Sequence, residues 1–200
     1  MTRYPSRLSS TFLLVLAGCA TSSGVPAANI PQVQVAAAYI PLRHVSFLSH
    51  ADGAGVAIAP GIAVTNGHNR NLIEPRAVIG EAKDYDLLFF HDDHRPVADI
   101  GTPRVGEPVS AFGQGTDGDL RLAHGVVKAI QTCPGCTAPA YFTFAGNAGP
   151  GFSGGPVLDA SGRLIGITFG YRDEGSSRVI YAYPMGRVRE ELSTIRRAAK

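Results

Sequence analysis

Glycine and proline interrupt this chain so often that little of it can be helical: 24 glycines and 14 prolines fall among 200 residues, between short apolar segments. Both oppose helix, glycine through the backbone freedom it loses and proline through its missing N–H. Short apolar runs bounded by such residues are the pattern of strands joined by turns. Strands are expected at 44–49, 56–65 (interrupted by Pro60-Gly61), 76–80, 86–90, 108–113, 124–130, 140–144, 156–158, 164–169 and 178–183, with a turn at 50–55. The closing segment 185–200 departs from this pattern, since Val188, Leu192 and Ile195 recur at helical spacing and give an amphipathic helix. An apolar fraction of 44% is enough to bury a sizeable core. The expected fold is all-β, a pair of barrels or sandwiches closed by one C-terminal α-helix.

The N-terminus reads as a targeting segment and is set apart from the fold. Arg3 and Arg7 precede the apolar run Thr11–Ala17, which is far short of the ~20 residues of a membrane span. Leu16-Ala17-Gly18-Cys19 resembles the lipobox of bacterial lipoproteins. That resemblance implies a signal at 1–18, lipid on Cys19, and a membrane partner. Ala20 in place of an aspartate implies the outer membrane of the cell envelope, facing the periplasm. Residues 19–34, rich in Ser, Ala, Pro and Gly, read as a flexible tether, and 35–200 as one domain. Removing Arg3 and Arg7 from 18 basic residues leaves 16 against 16 acidic ones. No electrostatic case for nucleic acid survives. In an oxidising envelope Cys133 and Cys136, in "TCPGCT", form a disulfide, with a redox pair or half a zinc site as the other readings of that spacing.

The stretch Gly149-Pro150-Gly151-Phe152-Ser153-Gly154-Gly155-Pro156 surrounds one hydroxyl with four glycines and two prolines. A serine becomes a nucleophile when a base takes its proton and a third group holds that base in one tautomer. The chain offers His68 in "VTNGHN", after an apolar strand, and Asp84 and Asp86 in "DYDLLFF", opening another. Strand ends hold a side chain rigidly while exposing it. Asp84 and Asp86 share one side of a strand, so alternation leaves both open. Taken singly, each residue has an ordinary reading: a turn serine, a surface histidine, a strand-edge aspartate.

In the order His, Asp, Ser these stretches resemble the trypsin-like serine proteases of the chymotrypsin fold, and most closely the HtrA-type bacterial branch. "GVAIAPGIAVTNGHN", "GEPVSAFGQGTDGDLRLAHGVVKAI" and "GPGFSGGPVLDASGRLIGITFG" carry the similarity across about 45–184. The resemblance implies two six-stranded antiparallel β-barrels. It also implies a serine endopeptidase acting on protein or peptide substrates through an acyl-enzyme, with no cofactor. Ser153 is the implied nucleophile, His68 the base and Asp86 its partner, since an aspartate followed at once by apolar residues fits the family pattern. The backbone N–H groups of Gly151 and Ser153 are the implied oxyanion hole, with Gly154 and Gly155 clearing the substrate's path. Activity is expected to rise through about pH 7 as His68 becomes neutral.

Two departures from the trypsin group matter. Phe152 stands where that group has an aspartate paired with a freed N-terminus, so that activation route does not apply. Asn147, six residues before Ser153, stands at the expected pocket floor and gives no reason for Lys or Arg preference. Thr168, Phe169 and Gly170, with Val179, Ile180 and Tyr181, are the expected walls, which favour small or medium aliphatic side chains. No PDZ segment is read after the helix, and nothing in the sequence fixes an oligomeric state. His91-Asp92-Asp93-His94 reads as a solvated turn rather than a metal site. The competing function is a catalytically silent module that uses the same cleft to hold a peptide or protein partner.

Overall fold

The computed structural model describes residues 24–26, 38–45, 50–115, 118–175 and 177–199. Cys19 lies outside them, as do the signal and most of the expected tether. The described strands are β1 (Val25–Pro26), β2 (Tyr39–Val45), β3 (His50–Ala59), β4 (Gly61–Thr65), β5 (Val78–Glu81), β6 (Leu88–Asp92), β7 (Pro108–Gln114), β8 (Leu120–Gln131), β9 (Tyr141–Ala145), β10 (Pro156–Asp159), β11 (Leu164–Glu174) and β12 (Ser177–Pro184). Helix α1 (Met185–Ala198) follows directly on β12. Within the segment expected to be a tether, Val25 and Pro26 pair with Leu122 and Arg121 of β8.

One sheet runs β1-β8-β7-β10-β11-β12-β9, and β9 pairs back onto β8. Six of its strands therefore close into a barrel, with β1 lying outside on β8. The long β8 makes this closure possible: its first part pairs with β7, its second with β9, across an irregularity between Val127 and Ala129. The second sheet is antiparallel with order β2-β3-β4-β6-β5. It has five described strands where a six-stranded barrel was expected.

Several strands are apolar on consecutive residues because both of their faces are covered. Side chains alternate across a strand, so neighbours enter different cores. In β6, Leu88 and Phe90 pack with Ile40, Leu42 and Ala63 inside the second sheet, whereas Phe89 faces a larger core between the two sheets. In β11, Ile165 points into the closed barrel with Phe142, Phe144 and Ile180, whereas its neighbour Leu164 joins Phe89 between the sheets. Helix α1 adds Met185, Val188 and Leu192 to that shared core, as its apolar spacing requires.

The expected turn at 50–55 is instead part of β3. Gly53 and Gly55 sit opposite Leu42 and Ile40 of β2. A Cβ at Gly53 would lie 2.7 Å from the Asn69 amide, so this glycine allows a close approach within a strand. Before β5, Pro75–Ala77 form a 3-10 turn, which delays that strand to Val78.

Candidate active site

The three candidate residues come from loops fixed at both ends by strands. His68 lies in the 3-10 turn Gly67–Leu72 that follows β4. Asp86 stands two residues before β6, and Ser153 lies in the connection from β9 to β10. His68 and Asp86 therefore belong to the five-stranded sheet, and Ser153 to the barrel.

His68 and Asp86 are joined twice. The His68 ring nitrogen Nδ1 lies 2.6 Å from Asp86 Oδ2, and the His68 main-chain N–H donates to Asp86 Oδ1 at 2.9 Å. Asn66 donates its amide to the Asp86 carbonyl at 2.9 Å, and the Asp86 N–H donates to the Tyr183 hydroxyl at 3.2 Å. Burial works against the Asp86 carboxylate, but the His68 ring and the main-chain N–H groups of His68 and Gly67 outweigh it and hold its pKa below the ordinary value. The hydrogen bond to Asp86 raises the His68 pKa, over a desolvation effect that opposes it. Asp84 is exposed, and it is Asp86 that engages the imidazole.

Ser153 is half-buried and tied to the other sheet through its carbonyl. That oxygen accepts from the Ala54 N–H at 2.8 Å and from the Asn69 amide at 3.0 Å. Asn69 also donates to the Thr65 hydroxyl at 2.9 Å, and Thr65 donates to the Ala54 carbonyl at 2.6 Å. One turn of chain after His68 thus fixes the backbone of Ser153. Sequence reasoning did not single out Asn69, although an amide one residue beyond the histidine was the available signal. Among the described residues the Ser153 hydroxyl makes no hydrogen bond with the His68 ring.

Gly151 has φ +84°, a conformation that L side chains rarely adopt, and its carbonyl accepts from the Gln114 N–H at 2.9 Å. Among the described residues, neither the Gly151 N–H nor the Ser153 N–H donates to any acceptor. Gly154 and Gly155 are required by the packing of the protein itself. Gly154 has φ +84°, and a Cβ there would fall on the Ala54 carbonyl and the Thr65 hydroxyl; one at Gly155 would fall on the Phe112 carbonyl. These glycines let the serine loop press against its own protein's main chain.

Beside Ser153 lies a cavity of about 10 Å³ lined by Ala148, Gly149, Phe152, Ser153, Thr168, Gly170, Tyr171 and Ile180. That is about the space of a single water. Thr168 and Gly170 are there, with Thr168 donating its hydroxyl to the Phe152 carbonyl. Phe169 is not, because alternation along β11 turns it to the opposite face, stacked on Tyr183 with ring centroids 4.0 Å apart. Val179 does not line this cavity either; its neighbour Ile180 does, for the same reason. Asn147 is exposed, its carbonyl accepts from the Gly24 N–H at 2.8 Å, and it borders a separate cavity of about 290 Å³. The largest described cavity, about 460 Å³, lies between β3 and α1, away from all the candidate residues.

Cys133 and Cys136 are joined as a disulfide. Of the stretch expected to be a turn, His91 and Asp92 belong to β6, and beyond it the His94 N–H donates to Asp92 Oδ1 at 2.9 Å, a local turn bond. No group of three or more His, Cys, Asp or Glu among the described residues could hold a metal ion.

A closed barrel and a five-stranded sheet, with a His–Asp pair on one and a glycine-flanked serine on the other, define the chymotrypsin-like class of fold. The sequence matches the family model described as "Trypsin-like peptidase domain" over residues 50–167, and the chain belongs to that family. Among solved structures it is similar to a serine endoprotease from Yersinia pestis, at 21% identity and a TM-score of 0.68, over 86% of this chain and 68% of that one. It is similar to the HtrA-type protease AlgW, crystallised with a tripeptide, at 20% identity and a TM-score of 0.67, over 83% and 64% of the two chains. It also resembles an inactive form of Rv3671c from M. tuberculosis H37Rv at 17% identity, with a TM-score of 0.64, over 82% and 91%. The chain spans about two thirds of the length of the first two. Identities this low establish a shared fold. No curated protein matches the chain in sequence.

Proposed function

We propose that the chain is a serine endopeptidase in which Ser153 attacks the scissile carbonyl, His68 takes its proton, and Asp86 holds the imidazole. The observation that carries this reading is the 2.6 Å contact between His68 Nδ1 and Asp86 Oδ2, reinforced by the His68 N–H on the second carboxylate oxygen. A carboxylate at Nδ1 selects the tautomer with its proton there, which leaves the Nε2 lone pair as the base. As Ser153 Oγ bonds to the carbonyl carbon, the C=O π pair moves to oxygen and the proton moves to Nε2. The Gly151 and Ser153 N–H groups, unused by the protein's own acceptors, are suited to receive that oxyanion. His68 then gives the proton to the departing amine, and an acyl-enzyme remains for water to hydrolyse. The small cavity beside Ser153 favours a small side chain at the cleavage position. The substrates on this reading are proteins or peptides.

The unmade bond between Ser153 and His68 favours a second reading, a silent module that binds a peptide in the same cleft. Catalytic hydrogen bonds are often long before substrate arrives, so the unmade bond is compatible with the first reading as well. Hydrolysis of a small-residue peptide or ester library by wild type and Ser153→Ala separates them. The peptidase reading expects a loss of at least about 10³-fold in kcat, with a residue of activity from the oxyanion hole and binding. Equal inertness of the two proteins, with retained peptide binding, would favour the silent module.

A further inference from the structure

The loop between β8 and β9 carries a second piece of chemistry. Cys133 and Cys136 are three positions apart, and the Cys136 N–H closes their turn on the Cys133 carbonyl at 3.1 Å. A disulfide stabilises a fold by restricting the unfolded chain, and that effect grows with the length of loop closed. A ring this small does little stapling. Its two sulfurs also stand in different surroundings: Cys136 is exposed, whereas Cys133 is half-buried toward α1.

Arg187 of α1 reaches Cys133. Its side chain is only 5% exposed, and Nη2 lies 3.8 Å from Cys133 Sγ while donating to the Ala138 carbonyl at 2.7 Å. The guanidinium also lies over the Tyr85 ring, 4.7 Å from its centroid, which fixes its position. The carboxylates of Glu190 and Glu191 on the same helix lie 2.9 and 3.4 Å from Nη1. Thr137 ties the loop to the same helix by donating to Glu190 Oε1 at 2.7 Å. A cation beside one sulfur of a Cys-X-X-Cys pair stabilises that sulfur's thiolate, which makes it the better leaving group.

We propose that Cys133–Cys136 is a thiol–disulfide exchange site, with a dithiol as the reacting partner and Cys133 as the leaving thiolate held by Arg187. A thiolate of the dithiol attacks the exposed Cys136 Sγ. The bond between Cys133 and Cys136 breaks as the new sulfur–sulfur bond forms, and its electron pair goes to Cys133 Sγ. The second thiol of the partner, losing its proton, attacks its own sulfur in this mixed disulfide. Cys136 departs and takes up a proton. The dithiol ends as a disulfide, and the protein pair, having gained two electrons, ends as a Cys136 thiol and a Cys133 thiolate.

The test uses the full chain, with dithiothreitol as the dithiol. The Cys133–Cys136 bond should open in the folded protein, and Arg187→Gln should shift the equilibrium about tenfold back toward the disulfide. In Cys136→Ser, alkylation of Cys133 by iodoacetamide should titrate well below the ~8.5 of free cysteine. Adding Arg187→Gln to that variant should raise the midpoint, and adding Glu190→Gln, which removes an opposing charge at the guanidinium, should lower it. Reduction only after unfolding in urea, or an ordinary midpoint in Cys136→Ser, would overturn the proposal. If circular dichroism shows that Arg187→Gln does not fold, Glu190→Gln decides: a lowered midpoint supports the site and an unmoved one refutes it.

Discussion

At the scale of single residues, the pair His68–Asp86 sets the expected pH behaviour. The bond from Asp86 raises the His68 pKa, and a general base must be neutral to act. Activity should therefore rise with pH, with its midpoint above the ~6.5 of an ordinary imidazole. Asp86→Asn removes the charge and favours the wrong tautomer, so kcat should fall by about 10⁴. Its acidic midpoint should fall too, which a kcat/KM profile from pH 5 to about 9 would register. The order of His68, Asp86 and Ser153 was legible in the sequence because each stands where a strand meets a loop. Between Asp84 and Asp86 alternation gave no choice, and the double contact with His68 does. Asn69 stands next to His68, but its role was not legible there, because that role is set by the Ser153 carbonyl 84 positions away.

At the scale of elements, the serine loop depends on the sheet it does not belong to. Gly154 has φ +84° and leaves no room for a Cβ against Ala54 and Thr65. Gly154→Ala should cost at least roughly 1–3 kcal/mol from backbone strain alone, with the clash in addition. Urea unfolding of the purified variant measures it, and a change under about 0.5 kcal/mol would show that the loop relaxes freely. The same contacts explain the misread turn at 50–55. Glycine there signals close approach rather than reversal of the chain, and no local pattern distinguishes the two. Phe169 and Val179 were named as walls together with their neighbours, but of these two stretches only Thr168, Gly170 and Ile180 border the cavity. A single step along a strand reverses the face, so a pocket wall is only as legible as the register is. The apolar stripe of α1 needed no such register, and Val188 and Leu192 are buried as the spacing required.

At the scale of the whole molecule, the two sheets must dock before the site exists, and the core they share holds Phe89 from one and Ile167 from the other. The His68–Asp86 pair contributes to stability within a definite pH window. Asp86, with its pKa lowered, stabilises the fold above the ~3.9 of an unfolded carboxyl, and that contribution is lost as pH falls through its folded value. His68, with its pKa raised, stabilises the fold below ~6.5, and that contribution is lost as pH rises through its folded value. The difference in unfolding midpoint between wild type and His68→Gln should therefore be largest between about pH 4 and 6.5. It should also be small, because the His68 side chain is 49% exposed. A difference that stays constant from pH 3 to about 9 would remove the ion pair from the account.

The claim that a base on one sheet activates a hydroxyl on the other is tested most directly by a fluorophosphonate probe, with the adduct located by mass spectrometry. One adduct, on Ser153, is expected in the native protein, and none in His68→Ala or in protein unfolded by urea. A native protein that stays unlabelled, or Ser153 labelling that persists without His68, would contradict it.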